Sequence, residues 1–132
     1  MREIVFKAKR IDNGEWVEGL LTVMWGQYHI INPRDENTAY PIDSETICQY
    51  IGLTDKNGNK IWENDVVSYL DTYSTANGRA EADCIGKVYW DDETLSFQVT
   101  ERLSAESYEV LDECSVIGNI FDNPELLEGG AE

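Results

Sequence analysis

Two Asn-Gly pairs, Asn13-Gly14 and Asn57-Gly58, each sit between short runs of β-branched and aromatic residues. A tight type I′ turn needs positive φ at both central positions, and Asn followed by Gly supplies them at little steric cost. Each pair therefore folds the chain back on itself, and a chain punctuated this way builds hairpins rather than long helices. The rest of the sequence agrees. Ile4-Val5-Phe6 and its Lys-rich extension read as a first strand, 16–23 as its return and 27–31 as a third. Further apolar, β-favouring runs lie at 47–53, 61–62, 66–70, 86–90, 95–99 and 115–121.

The breaks between these runs are equally plain. Residues 32–37 form a polar loop containing Pro33, and 41–45 another break. Asp91-Asp92-Glu93-Thr94 is a turn, and 71–81, polar and small, read as the longest loop. Residues 101–113 fit either a short helix or, at Tyr108-Glu109-Val110-Leu111, a strand. A short C-terminal helix is predicted over 123–129: Asn123 as N-cap, Pro124 at its first position, acids at its positive end and Gly129 as its stop. Many short strands at near-regular spacing imply an all-β fold, a small antiparallel SH3-like barrel with an N-terminal β-hairpin layer. The expected division is an N-terminal β subdomain at 1–45 and a C-terminal β-barrel subdomain at 46–132, within one compact unit.

Composition narrows the chemistry. The 132 residues are 42% apolar and 27% charged, ordinary globular usage that needs no disulfide or metal staple. The formal net charge is −16. It is uneven: residues 1–70 carry 7 basic and 11 acidic groups, a net of −4, and 71–132 carry 3 and 15, a net of −12. Such a surface repels phosphate backbones, and the one basic cluster, Lys7, Lys9 and Arg10, is small, so direct nucleic-acid binding is disfavoured. No window of about 18 apolar residues spans a bilayer. The N-terminal residues lack the apolar core of a secretory signal, so the expected compartment is the cytoplasm. Cys48, Cys84 and Cys114 are odd in number and form no C-x-x-C pair, which suits small reduced fillers of a core.

The stretch Tyr50-Ile51-Gly52-Leu53-Thr54-Asp55-Lys56-Asn57-Gly58-Asn59-Lys60-Ile61-Trp62-Glu63-Asn64-Asp65-Val66-Val67 resembles the YopX family of bacteriophage and prophage proteins. Gly86-Lys87-Val88-Tyr89-Trp90-Asp91 with Phe97 is a second match. Ser115-Val116-Ile117-Gly118-Asn119-Ile120-Phe121-Asp122-Asn123-Pro124-Glu125-Leu126-Leu127 is a third, and Phe6-Lys7-Ala8 with Asn13-Gly14 and Trp16 resembles the family's opening. Ile51 stands where the family has threonine, and Asn64 where it has glycine. Asn tolerates positive φ best after Gly. The resemblance implies a small, β-rich, phage-encoded protein of a bacterial host. It brings no catalytic residues, substrate or cofactor.

Individual motifs have structural readings that compete with chemical ones. Asp55-x-Asn57-Gly58-Asn59 hints at a calcium loop, but Gly58 falls at position 4 and Val66 at position 12, where an EF-hand needs Gly at 6 and an acid at 12. Glu63-x-Asp65 would share one face of a strand and could hold a cation or act as acid and base; a solvated corner with Asp65 accepting backbone N–H groups is the simpler reading. Asp91, Asp92 and Glu93 could serve a metal-dependent hydrolase or nuclease, or read as a solvated turn. His29 lies inside a strand with no cysteine beside it in sequence. Trp16, Trp62 and Trp90 read as core; Trp25 before Gly26 fits an exposed anchor and core packing about equally, and Tyr73 in the polar loop reads as exposed.

The expectation is thus a non-enzymatic protein-interaction module without cofactor or metal, whose acidic surface binds a basic host or phage protein. Trp25, Tyr73, Asp83, Asp91, Asp92 and Glu93 are its candidate contacts. Two alternatives are a carboxylate-based metal hydrolase or nuclease and an acidic mimic of nucleic acid. An uncovered edge strand also gives homo-oligomers a route.

Overall fold

The structure, a computed structural model, describes residues 4–32, 34, 38–100, 111 and 113–129. It is all-β apart from one 3-10 turn and short helical segments, with its strands in antiparallel sheets. The chain divides into two units, Met1–Gly52 and Leu53–Glu132.

The first unit contains β1 (Phe6–Lys9), β2 (Trp16–Met24), β3 (Gln27–Ile31), β4 (Ala39–Pro41), a 3-10 turn (Ser44–Thr46) and the start of β5 (Cys48–Thr54). Their order is β4-β3-β2-β1-β5. The first Asn-Gly pair reverses the chain as expected but not as a type I′ turn: Gly14 has φ +74 while Asn13 is not at positive φ, and the longer loop between Arg10 and Glu15 closes through Gly14 N–H to Arg10 O at 2.9 Å. Arg10 clasps Asp12 through Nε to Oδ1 at 2.9 Å and Nη2 to Oδ2 at 2.6 Å. Ala8 opposes Val17, and Leu21 opposes Ile30, so these side chains share one face. There Ala8, Ile30 and Ile42 form a core to which Phe6, Val17, Leu21 and Ile47 add. Gly19 is required within β2, because a Cβ there would overlap Ile31 O.

The second unit continues from β5 into the 55–59 turn, then β6 (Lys60–Trp62), β7 (Asp65–Thr75), β8 (Gly78–Asp91), β9 (Ser96–Val99), β10 (Ser115–Asn119) and a C-terminal helix (Glu125–Gly129). Its sheet runs β10-β7-β8-β9. Val66 and Val67 are adjacent yet both fully buried, so β7 is covered on both faces where it begins. Ile117 is the extra residue of a bulge in β10. Gly118 beside it leaves room for the C-terminal segment: a Cβ would lie 2.5 Å from Asn123 Oδ1 and 2.9 Å from Leu126 Cδ1.

The expected barrel is an open arrangement: among the described residues the second sheet ends at β9 and β10, which do not pair. The predicted loop at 71–81 is the distal half of the β7–β8 hairpin, turning at Ala76-Asn77 with Gly78 at φ +121. Thr72, Tyr73 and Thr75 favour extended backbone, and pairing with β8 overrides the polar composition. β4, short and ending in a proline, gave no strand signal. Asn123 does not cap as predicted; its Oδ1 meets Asn119 N–H at 3.4 Å instead. The readings of 101–110 and of Pro33, Asp35, Glu36 and Asn37 lie outside the described residues. No described helix is long and apolar enough to cross a membrane.

Gly86 tests the packing of the second sheet. A Cβ there would overlap Thr100 O and lie 2.9 Å from Val99 Cγ1. Backbone cannot give way as a flexible side chain would, so Gly86→Ala should destabilise the chain by about 2 kcal/mol, read from urea unfolding.

Candidate functional site

Two of the acids that invited a catalytic or metal-binding reading, Asp55 and Asp65, are committed to the fold. Asp55 is buried, and its Oδ1 accepts the N–H groups of Asn57 and Asn59, both at 2.9 Å. Its Oδ2 accepts Val116 N–H at 2.9 Å, which ties the turn to β10. Burial pushes this carboxyl up, but the N–H groups of Val116, Asn59 and Asn57 outweigh that and hold it below its ordinary value. Asp65 is also buried, not solvated as expected, and its Oδ2 accepts Trp62 N–H at 2.8 Å. Glu63 lies in the preceding turn rather than beside Asp65 on a strand. Asn64 adopts φ +72, the left-handed conformation its replacement of glycine predicted. Among the described residues no three His, Cys, Asp or Glu side chains form a group able to hold a metal ion.

The other titratable candidates are similarly occupied. His29 lies half-buried in β3, with Nδ1 2.9 Å from Gln27 O. All three cysteines are free thiols; Cys48 and Cys114 are buried as expected, and Cys84 is half-buried. Burial, with the Asp55 charge, pushes the Cys114 thiol up to about 11, away from nucleophilic chemistry. A cavity of about 440 Å³ has Lys9, Arg10, Gln27, Ile42 and Asp43 in its wall. Its Arg10 is held by Asp12 and lies over the Tyr40 ring at 4.3 Å. Its Gln27 amide donates to Ile42 O at 3.0 Å.

The predicted contact residues divide into separate places. Asp83 is exposed in the middle of β8, opposite Leu70. Asp91, Asp92 and Glu93 lie at the β8–β9 turn. Eight residues of strand, roughly 26 Å, separate that turn from Asp83. Two of the turn's acids have local tasks: Asp91 Oδ1 accepts Glu93 N–H at 2.9 Å, and Asp92 Oδ1 accepts Trp90 Nε1–H at 2.8 Å. Trp90 is therefore not core as predicted; it is 43% exposed and edge-on to Phe97 at 5.1 Å. Trp62 is buried as predicted. Trp16 is half-buried, with Lys7 and Lys9 Nζ over its ring at 4.7 and 5.4 Å. Tyr73 lies in β7 opposite Ala80, and its side chain is outside the described residues.

Trp25 stands apart. Met24 opposes Gln27, so Trp25-Gly26 is a two-residue turn, and both φ angles are positive, +52 and +76. This is the type I′ pattern, in which the first position favours Asn, Asp or Gly. A tryptophan there carries a steric cost of about 1–2 kcal/mol. It gains no burial in return, being 95% exposed. Val23 and Tyr28 oppose each other behind it, on the face that Leu21 and Ile30 carry into the core. Both are exposed. An apolar stripe thus runs out of the core to the hairpin tip. Leu95 is a second exposed apolar residue at positive φ, +54, which sequence reasoning had placed in a strand.

The sequence model of the YopX family, described as YopX protein, matches residues 6–128. The crystal structure of protein EF1440 from Enterococcus faecalis is similar to this chain, with a TM-score of 0.57 and 26% sequence identity. The likeness covers 96% of this chain and 99% of that one. No curated protein matches the sequence.

The Asp55 site generates a test with a sign. A carboxyl held below its unfolded value, about 4, stabilises the fold fully above that pH and loses its contribution as pH falls through the folded value. Asp55→Asn should cost about 2 kcal/mol at pH 7. In urea unfolding at stepped pH, the gap from the parent chain should narrow below about pH 4.

Proposed function

The chain belongs to the YopX family, and from that premise we propose that it is a non-enzymatic, phage- or prophage-encoded protein-interaction module of the bacterial cytoplasm. It docks on a basic protein partner through the β2–β3 hairpin tip. The observation that carries this reading is Trp25, 95% exposed in a left-handed turn position that disfavours it. Strain at an exposed position relieves nothing in the fold, so it supports a role outside the fold. Exposed aromatics recur as the energetic centres of interfaces, because one rigid ring brings a large apolar area at little entropic cost. Val23 and Tyr28 widen the contact. The engagement of Asp55 and Asp65 by backbone N–H groups supports binding over metal-assisted hydrolysis. The net charge of −16 supports a basic partner, drawn in by long-range attraction before the apolar contact forms.

Trp25→Asn separates the two roles of this residue. Asn suits the left-handed turn, so the variant should be as stable as the parent or more so, by up to about 1 kcal/mol. Immobilised parent and variant chains are exposed side by side to host lysate at low salt, and captured proteins are quantified by mass spectrometry. A basic protein should be retained by the parent and fall about tenfold on the variant. Equal capture by both chains, or capture that survives high salt undiminished, contradicts the reading.

A further inference from the structure

Asn77-Gly78, at the tip of the β7–β8 hairpin, is an Asn-Gly pair like 13–14 and 57–58. Such a pair carries its own electrophile and nucleophile. The Gly backbone nitrogen can attack the Asn side-chain carbonyl carbon, because the glycine has no Cβ to shield its nitrogen. The reaction needs the carboxamide to be free to turn towards that nitrogen. Space does not choose among the three pairs, since a Cβ on Gly14, Gly58 or Gly78 would meet nothing within 4 Å. The nitrogens do not choose either. Gly14 N–H donates to Arg10 O at 2.9 Å, Gly58 N–H to Asp55 O at 3.0 Å, and Gly78 lies opposite Thr75 in the β7–β8 ladder.

The carboxamides differ. Asn13 Oδ1 accepts Glu15 N–H at 2.9 Å, and Asn13 Nδ2 donates to Glu15 Oε2 at 3.3 Å. Asn57 Nδ2 donates to Ser115 Oγ at 3.2 Å, and Asn57 N–H is fixed on the Asp55 carboxylate. Asn77 is exposed, and its carboxamide has no hydrogen-bond partner among the described residues. Its turn is closed by neutral groups: Thr75 Oγ1 accepts Asn77 N–H at 3.3 Å and donates to Gly78 O at 3.0 Å. The other two turns are pinned by charged groups, Arg10 on Asp12 and Asp55 on its amides, and such bonds are roughly twice as strong. A ladder end held by neutral bonds is where local opening is easiest.

We propose that Asn77 is a self-modifying site, at which the Gly78 nitrogen closes on the Asn77 side chain and water is the only co-reactant. Gly78 N bonds to Asn77 Cγ, the bond from Cγ to the side-chain nitrogen breaks, and ammonia leaves with the proton that Gly78 N gives up. Water then opens the cyclic imide. Attack at the side-chain carbonyl gives aspartate. Attack at the main-chain carbonyl routes the backbone through Cγ and gives isoaspartate, with an extra methylene in the chain. Nothing is oxidised or reduced. Either product adds a negative charge to a chain already at −16. Isoaspartate also lengthens the turn that sets Thr75 opposite Gly78, and so disturbs the register there. The site lies on a different hairpin from Trp25 and does not depend on the partner reading.

The test incubates the full chain at mildly alkaline pH, once folded in buffer and once unfolded in guanidinium chloride. Protease digestion and mass spectrometry then follow the three Asn-Gly peptides, with aspartate and isoaspartate products separated by chromatography. In buffer Asn77 should convert about fivefold or more faster than Asn13 or Asn57, the factor by which a hydrogen bond of ordinary net strength holds a carboxamide back. In guanidinium chloride those contacts are gone, and the three should convert at similar rates. Isoaspartate should appear at Asn77 together with aspartate. Equal rates in buffer, a lead for Asn13 or Asn57, or a lead for Asn77 that is as large in the unfolded chain overturns the proposal. Aspartate without isoaspartate at Asn77 also overturns it, because water would then have cleaved the amide directly and Gly78 would have no part.

Discussion

The Asp55 carboxylate accepting three backbone N–H groups is the interaction on which the second unit most depends. It satisfies Asn57 and Asn59 within the turn and Val116 sixty-one residues later. A local turn and a distant strand are thereby fixed by one charged group. Neutral turn residues could not replace it equally, because a bond to an ionised acceptor is roughly twice as strong as a neutral one. Asp65 repeats the device at the next corner with Trp62 N–H. Asp55 and Asp65, at the two ends of this family-like run, are therefore architecture: each is placed where backbone donors would otherwise lack acceptors.

With the inward acids committed to the fold, the remaining chemistry lies at hairpin tips. The positive-φ residues show the contrast. Asn64 occupies a corner where its N–H donates to Val88 O and its own O accepts from Ile120, and its side chain suits the left-handed backbone. Trp25 and Leu95 occupy exposed turns where Asn or Gly would be easier. One kind of position follows the rules of local conformation. The other departs from them at sites that solvent, or a partner, can reach.

The hairpins were legible because Asn-Gly turns and alternating apolar residues act locally: β1, β2, β3 and β6 fall where those signals put them. Trp25 was legible as a turn residue because a glycine follows it, but its sequence left exposure and core packing equally open. The distal β7–β8 ribbon was not, since Asp71, Ser74 and Asn77 resemble a loop until cross-strand pairing is known. Nor was the burial of Asp55 and Asp65. An acid in a turn looks solvated in sequence: its local donors are in view, but Val116 N–H, which reaches Asp55 from sixty-one residues away, is not. The acidic contacts grouped by composition were separated by geometry, because an extended strand carries Asp83 far from Asp91.

Calorimetric titration of the chain with Mg2+, Mn2+ and Ca2+ tests most directly whether the inward carboxylates are structural acceptors. With their oxygens engaged by backbone N–H groups, the account predicts only weak, nonsaturating heats that are the same in the Asp55→Asn chain. Saturable binding of any of these ions, abolished by Asp55→Asn or Asp65→Asn in a chain that remains folded, would contradict it.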